Sequence, residues 1–333
     1  MEEYIMNAKK FDIKDFLINY GVILVMVVLV LFTSIKSPNF LSSGNLMNLM
    51  LNISARLVIA LGIAGCVITA GCDLSAGRMI GLGGCIAGVL LQRADYSGKF
   101  FPDMQPMNLF LAILVVMLIT ALFGAVTGFF IAFLDVPPFI STLAMMEIVY
   151  GLNLIFTNAT PLGGYVESYT SLATKKILMI PELVWIAIIV AVITWFIFNM
   201  TRHGKYMYAI GANPQAAAVA GVPVKLTMVL IYAKAAAMYG LAGFMLGAKS
   251  GGASVNLGLG YEMEAIAACT IGGVSVTGGR GKVSSAIIGV CVFEFLKAAL
   301  QFLGVNANAQ WIALGIIIYI AISLDIRKYV AKK

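Results

Sequence analysis

Long runs of apolar residues recur along almost the whole chain, and most are long enough to cross a lipid bilayer as a helix. A hydrocarbon core of about 30 Å requires about 20 apolar residues for each helical crossing. The pattern therefore predicts an all-α membrane protein with about ten transmembrane helices. The predicted segments are 18–35, 47–70, 75–92, 108–133, 138–157, 182–200, 226–249, 262–279, 283–303 and 309–325.

The connections between these segments are too short to hold a second folded domain. We therefore expect one integral membrane domain over residues 1–333, preceded by an N-terminal tail at 1–17. The longest connection on one side of the predicted membrane covers 201–225. It is the largest surface that the chain offers on that side.

Composition supports the membrane assignment and excludes a nucleic-acid partner. Hydrophobic residues make up 61% of the chain and charged residues only 11%, whereas soluble domains have about 25% charged residues. The net charge of +7 agrees with the excess of Lys and Arg that membrane proteins carry on their cytoplasmic side. We find no basic stripe or nucleic-acid motif.

The distribution of Lys and Arg predicts the orientation. If the N-terminus is cytoplasmic, twelve basic residues fall on the inside and six on the outside, which favours cytoplasmic positions for both termini. The inside set is Lys9, Lys10, Lys14, Arg202, Lys205, Lys225, Arg280, Lys282, Arg327, Lys328, Lys332 and Lys333. The outside set is Lys36, Arg93, Lys99, Lys175, Lys176 and Lys249.

Catalytic motifs are mostly absent. The single histidine, His203, cannot build a metal site alone, and Gly281-Lys282 lacks both the following Ser or Thr and the preceding Gly of a phosphate-binding loop. We therefore expect no metal, no cofactor and no enzymatic activity, and any ATP hydrolysis has to occur in another subunit.

Several charged residues lie within or beside the apolar segments. A charge at the bilayer centre costs at least about 2.5–3.5 kcal/mol, so such residues are usually paired or line a water path. Glu294 and Lys297 are three residues apart and are expected to pair on one helix face. Glu262 and Glu264 open a segment, where acids complement the helix dipole. The remaining charged candidates are Asp73, Glu147, Arg56, Arg78 and Lys234.

Two short Gly-containing breaks interrupt the apolar pattern, at 71–78 and at 272–281. In the first, Asp73 and Ser75 can cap the helix that follows. This break is either a cytoplasmic turn or the tip of a discontinuous helix pair at a transport path, because irregular backbone at membrane depth requires burial or a water-filled cavity. Gly-interrupted helices in corresponding places of two halves also occur in transporters with internal repeats.

The connection at 201–225 contains a short Ala-rich segment that is suited to docking. Asn213 is expected to cap a helix that starts at Pro214 and ends at Gly221. An isolated helix this short is marginal in water and needs a partner surface, either its own protein or another subunit. The residues assigned to this segment are Asn213, Pro214, Gln215, Ala216, Ala217, Ala220 and Gly221.

Three motifs in order resemble the permeases of ribose/galactose-type ABC sugar importers, from about residue 41 to the C-terminus. They are Asp-Leu-Ser at 73–75, the segment at 213–221, and Gly-Gly-x-Ser-x-x-Gly-Gly at 272–279. The resemblance implies a homodimeric pore in a bacterial cell membrane, an ATP-binding subunit docked at 213–221, and a soluble sugar-binding protein outside. Importers of this kind often have an acidic residue where this chain has Gln215, so a charge pair with the ATPase is not expected there.

These features lead to the hypothesis of a membrane subunit that imports a monosaccharide such as galactose, glucose or methyl galactoside. Its path must offer polar contacts to sugar hydroxyls, for which Asn52, Asp73, Ser75 and Asn153 are candidates. One alternative is a transporter driven by an ion gradient, with Glu147 or Glu294 carrying the proton. Another is a channel or structural protein, which would need no accessory subunit.

Overall fold

The computed structural model describes residues 13–330, and within that range the protein is almost entirely helical. A small antiparallel hairpin pairs β1 (Lys176–Ile177) with β2 (Ile180–Pro181). The helices are α1 (Ile13–Lys36), α2 (Ser43–Ile68), α3 (Ala76–Leu90), α4 (Leu109–Phe133), α5 (Pro138–Thr157), α6 (Glu167–Thr170), α7 (Glu182–Met200), α8 (Arg202–Ala212), α9 (Pro214–Val219), α10 (Val224–Ser250), α11 (Tyr261–Gly272), α12 (Val283–Phe302) and α13 (Ala307–Val330).

The prediction of an all-α membrane protein is confirmed at the level of fold class. Each of the ten predicted segments overlaps a helix, although not every helix is long enough to span a bilayer. Six of the described helices are long and apolar enough to cross a membrane, namely α2, α4, α5, α7, α10 and α12. The chain is a multi-pass membrane protein.

The N-terminal boundary differs from the prediction. The first helix already begins at Ile13, five residues before the predicted start, so residues 13–17 belong to it rather than to a tail. The rest of the predicted tail lies outside the described residues, together with Lys9, Lys10, Lys332 and Lys333.

The two central helices, α2 and α10, carry most of the core. Nearly every residue of α2 from Leu57 to Ile68 is buried, and α10 packs against α2, α3 and α4. Small residues permit these close approaches, because a Cβ atom at Gly83 would lie only 2.7 Å from the Cα of Gly240. Such small-residue contacts are the usual means of tight helix packing in membranes.

Helices α4 and α7 form part of the periphery and present apolar faces outward. In the middle of α4, Leu118 and Leu122 are 63% and 60% exposed. On α7, Val192 and Phe196 are 59% and 55% exposed. These surfaces are suited to contact with lipid chains.

The two ends of helix α7 define two opposite ends of the molecule. The β1–β2 hairpin directly precedes α7, and α8 and α9 follow it. We call these the hairpin end and the α9 end. The terminal residue of α2, Ile68, lies at the α9 end, where its carbonyl oxygen accepts a hydrogen bond from the Gly279 N–H at 2.8 Å.

Helices α3 and α11 are too short to cross a bilayer alone. With 15 and 12 residues, they are about 22 and 18 Å long at 1.5 Å per residue. The predicted segment at 262–279 is therefore wrong at its end, since the helix stops at Gly272. Gly273 follows with φ of +100°, a left-handed conformation that favours glycine and ends helices.

Candidate functional site

The Ala-rich segment forms the helix that the sequence predicts. The Asn213 side-chain oxygen accepts a hydrogen bond from the Ala216 N–H at 2.9 Å, and Pro214 occupies the first turn of α9. The chain leaves the helix at Gly221, whose φ is +83°. Capping at both ends explains how only six residues hold a helical conformation.

Most of α9 is uncovered by the rest of the chain. Val219 is 91% exposed, whereas Ala217 is 5% exposed and packs into the protein core. Ala217 therefore anchors the segment and does not present its side chain to a partner. The exposed members of the predicted set are Asn213, Pro214, Gln215, Ala216, Ala220 and Gly221.

Helix α8 precedes this segment and was not predicted. Its N-terminal cap is Thr201, whose hydroxyl oxygen accepts a hydrogen bond from the Gly204 N–H at 3.2 Å. The sequence did contain a signal for α8, because Thr201, a residue type that commonly caps helices, directly follows the apolar run at 182–200. Partial burial, together with the positive charge of Lys234, lowers the pKa of His203 on this helix, so His203 is neutral at pH 7.

Helix α8 is fastened to the Gly-rich break at 272–281 and to the end of α2. The Tyr208 hydroxyl donates a hydrogen bond to the Gly281 carbonyl oxygen at 2.8 Å, and burial raises the pKa of Tyr208, which keeps this donor protonated. A Cβ atom at Gly211 would overlap the Ile68 carbonyl oxygen. Helix α8, which leads into the exposed helix α9, therefore packs directly against the end of α2.

The break between α2 and α3 lies inside the protein. Asp73 and Ser75 are each 2% exposed. The Asp73 carboxylate accepts hydrogen bonds from the backbone N–H of Ser75 at 3.0 Å and from its hydroxyl at 2.6 Å. Asp73 therefore holds the turn that precedes α3, whose first residue is Ala76. The predicted capping by the Asp73 and Ser75 side chains is wrong, because neither accepts a hydrogen bond from a backbone N–H of α3 itself.

The N-terminal parts of the short helices α3 and α11 meet within the molecule. A Cβ atom at Gly77, the second residue of α3, would overlap the Glu262 carboxylate at the start of α11. One turn further along α3, a Cβ atom at Gly81 would lie 2.8 Å from the Val255 carbonyl oxygen. The starts of both helices are buried within the protein, which agrees with the discontinuous-helix alternative better than with a plain surface turn.

Four charged side chains form a cluster between α2, α11 and α12. Arg56 contacts Glu264 at 3.1 Å and Glu294 at 2.8 Å, and Lys297 contacts Glu264 at 2.7 Å. The expected pairing of Glu294 with Lys297 along one helix is therefore wrong. Each of these two residues pairs with a side chain on another helix, so the cluster ties three helices together with balanced charge.

A polar cavity of about 540 Å³ opens above this cluster, toward the hairpin end. Asn45, Asn48 and Asn52 lie at helical spacing on the side of α2 that lines it. Lys249 donates a hydrogen bond to the Asn52 side chain. The remaining lining residues are Leu49, Arg56, Tyr261, Glu294, Lys297, Ala298, Gln301, Phe302 and Gln310.

The four predicted path residues lie at three different places. Asn52 lines the cavity, and Asp73 and Ser75 lie together in the buried break. Asn153 is 1% exposed in α5, and its side-chain amide has no hydrogen-bond partner within the described part of the chain. The structure therefore joins only Asp73 and Ser75 directly. The helical spacing of Asn45, Asn48 and Asn52 was a sequence signal for a polar helix face. The prediction included only Asn52.

Comparison with protein families gives an extensive match. The model of the family described as "Branched-chain amino acid transport system / permease component" matches residues 45–322. This range begins within the first turn of α2 and ends within α13, so it includes both short helices and the segment at 213–221.

Comparison with curated proteins finds similarity over nearly the full length. The chain is 40% identical to the galactose/methyl galactoside import permease protein of Escherichia coli (strain K12), covering 98% of this chain and 99% of that protein. It is 32% identical to the ribose import permease protein of Haemophilus influenzae, covering 96% of each. No solved structure matches the chain.

Proposed function

This chain belongs to the permease-component family of branched-chain amino acid transport systems, and from that premise we propose that it is the membrane-spanning subunit of an ATP-driven sugar importer. The family description alone names amino acids. The full-length relatives at 40% and 32% identity are named for galactose, methyl galactoside and ribose. Their extent of similarity favours a monosaccharide such as galactose, glucose or methyl galactoside as the substrate.

The single observation that carries the proposal is the exposed capped helix α9. A six-residue helix with an apolar side chain 91% exposed has little stability of its own in water and gains it from a partner surface. In the proposal, that partner is a separate ATP-binding subunit, which performs the hydrolysis. The permease itself is not an enzyme.

The proposed orientation places the α9 end and both termini in the cytoplasm of a bacterial cell, with the chain in its inner membrane. The excess of basic residues in the connections at that end supports this choice. With α1, α3, α11 and α13 added to the six helices that are long and apolar enough to cross a membrane alone, the ten membrane segments of this proposal give an even number of passes. A soluble sugar-binding protein docks at the hairpin end, and a second copy of the chain completes the pore.

We propose that Asn52, Asp73, Ser75 and Asn153 contribute polar groups along or beside the path. The amide of Asn153 supports its inclusion, because its nitrogen and oxygen have no hydrogen-bond partner among the described residues. Such a buried group costs about 1–3 kcal/mol, which a hydrogen bond to a sugar hydroxyl would offset. Asn52 belongs to the cavity at the hairpin end. Asp73 and Ser75 serve mainly to hold the start of α3.

Co-purification tests the proposal. We expect detergent-solubilised wild-type chain to retain the ATP-binding subunit, and Val219→Glu to lose at least ten-fold in retention because a charge enters an apolar contact. Leu178→Glu is the matched control, since Leu178 is an equally exposed apolar residue (80%) at the hairpin end.

The variant Ala217→Glu distinguishes a loss of docking from a loss of folded protein. Because Ala217 is buried, this variant is expected to reduce the amount of folded chain, whereas Val219→Glu is expected to leave that amount unchanged. If the wild-type chain retains no ATP-binding subunit, or if Val219→Glu retains it as well as Leu178→Glu does, the docking proposal is wrong.

A further inference from the structure

A polar group lies on the outer surface of the isolated chain, where α3 packs against α5. The Arg78 guanidinium stacks on the Tyr150 ring at 3.8 Å from its centroid. It also donates a hydrogen bond to the Asn256 side-chain oxygen at 3.0 Å, and this contact is exposed. Glu147 is exposed one turn before Tyr150 on α5 and therefore lies on the same side of that helix.

This group lies at the middle depth of the membrane region. Glu147 is the tenth residue of the 20-residue helix α5. Arg78 is the third residue of α3, which begins inside the protein directly after the buried residues Asp73 and Ser75. The group is therefore far from both water-facing ends of the molecule.

The peripheral helices α4 and α7 show what a lipid-facing surface looks like in this protein. Their exposed residues at middle depth are apolar, as at Leu118 and Val192. The half-buried Arg78 and the exposed Glu147 lie at the same depth. Charged groups there are unfavourable against lipid chains, so such residues face a protein partner or a water path.

The chemistry of the patch indicates what covers it. It contains one cation and one anion, Arg78 and Glu147, so two copies related by a two-fold axis can oppose unlike charges. The buried Glu262 carboxylate lies close to Arg78. One of its oxygens, Oε2, has no hydrogen-bond partner within the described residues, which leaves an acceptor beside the patch unsatisfied.

We propose that Arg78, Tyr150, Asn256 and Glu147 form a monosaccharide-contacting site that a second copy of this chain completes. The inference rests on the proposed import of a sugar. Arg78 and Asn256 supply N–H donors, and Glu147 supplies carboxylate acceptors. These are the partners that sugar hydroxyls require when they leave water. The site is open on one side until the second copy encloses it.

Thiol labelling tests whether the patch faces water. Glu147→Cys and Val192→Cys are made in a chain in which Cys72→Ser and Cys291→Ser remove the two half-buried thiols. Open membrane fragments, which expose both faces, are treated with a charged methanethiosulfonate. We expect labelling at position 147 at least ten times faster than at 192, because the reagent reacts in water and not in lipid.

Cross-linking tests the second copy. Oxidation of Ile148→Cys, which is 52% exposed beside Glu147, is expected to give a covalent dimer, whereas Val192→Cys on α7 gives none. Equal labelling at 147 and 192, or no dimer through position 148, overturns the proposed enclosure.

Sugar uptake tests the contact itself. In cells with the complete importer, Arg78→Gln is expected to raise the half-saturating concentration for galactose or ribose uptake, or to lower the rate, at least ten-fold. Arg78→Lys retains the charge but not the planar fork, and an intermediate loss is expected. Normal uptake by both variants contradicts the proposed contact. If the wild-type importer moves neither sugar, the proposed function fails instead, while the labelling and cross-linking results remain interpretable.

Discussion

The charged cluster between α2, α11 and α12 is balanced residue by residue. Arg56 contacts two carboxylates, Glu264 and Glu294, and Lys297 supplies the second positive charge. The side chains of these carboxylates are only 6% and 3% exposed. At such burial the removal of one partner is far more damaging than the replacement of the whole set, because an uncompensated charge remains in a poorly solvated place.

The first prediction follows from this balance. Arg56→Leu is expected to lower the free energy of unfolding by about 3–5 kcal/mol, since it leaves two buried carboxylates with one cation. Thermal unfolding in detergent, followed by size-exclusion fluorescence, measures the change. The combination of Arg56→Leu with Glu264→Gln and Glu294→Gln is expected to recover part of the loss. Equal stability of Arg56→Leu and wild type would show that the cluster is not structural.

At the scale of elements, the sequence is most informative where one apolar run forms one helix. The segments predicted at 108–133, 138–157 and 182–200 agree with α4, α5 and α7 to within one residue. Each of these helices has polar or Pro-containing connections at both ends and needs no information from the rest of the fold.

The sequence is less informative where a helix ends because of backbone conformation or tertiary packing and not because the apolar run ends. After its two opening glutamates, the run at 262–279 consists of small, apolar and hydroxyl-bearing residues without a charge. Its division into α11 and a Gly-rich loop therefore depends on the left-handed turn at Gly273. Helix α8 has little apolar character and was missed. The partners of Glu294 and Lys297 lie on other helices, and spacing within one helix cannot reveal them.

Helix α9 gives the second prediction. Asn213→Ala removes the side-chain acceptor of the Ala216 N–H and is expected to destabilise the helix by about 1 kcal/mol. This corresponds to roughly five-fold weaker binding of the ATP-binding subunit, measured by titration of the purified permease. Asn213→Asp keeps the acceptor and serves as the control. Equal affinities for the Ala and Asp variants would mean that a preformed α9 is not needed for docking.

At the scale of the whole molecule, the proposed docking helix and the polar cavity lie at opposite ends, so the proposed importer separates the place of energy input from the place of substrate entry. The exposed α9 lies at one end, and the polar cavity opens toward the other. In the proposed importer, no carboxylate in the membrane region has to carry protons. The energy source therefore distinguishes it from the transporter driven by an ion gradient.

The third prediction concerns that energy source. Uptake of radiolabelled galactose or ribose is expected to persist when an ionophore collapses the proton and sodium gradients while ATP is maintained. It is expected to stop when ATP is depleted while the gradients are held. Starved cells supplied with different energy sources provide both conditions. The opposite pattern would favour a gradient-driven mechanism with Glu147 or Glu294 as the coupling group.

The direct contact between α8 and the end of α2 has a thermodynamic consequence. Helix α2 has 26 residues and extends about 39 Å at 1.5 Å per residue, so one continuous helical rod joins α8 to the wall of the distant cavity. Any displacement of α8 is transmitted to that rod. Binding linkage is reciprocal: by whatever factor a docked ATPase changes affinity for the sugar-carrying protein at the opposite face, that protein changes affinity for the ATPase by the same factor.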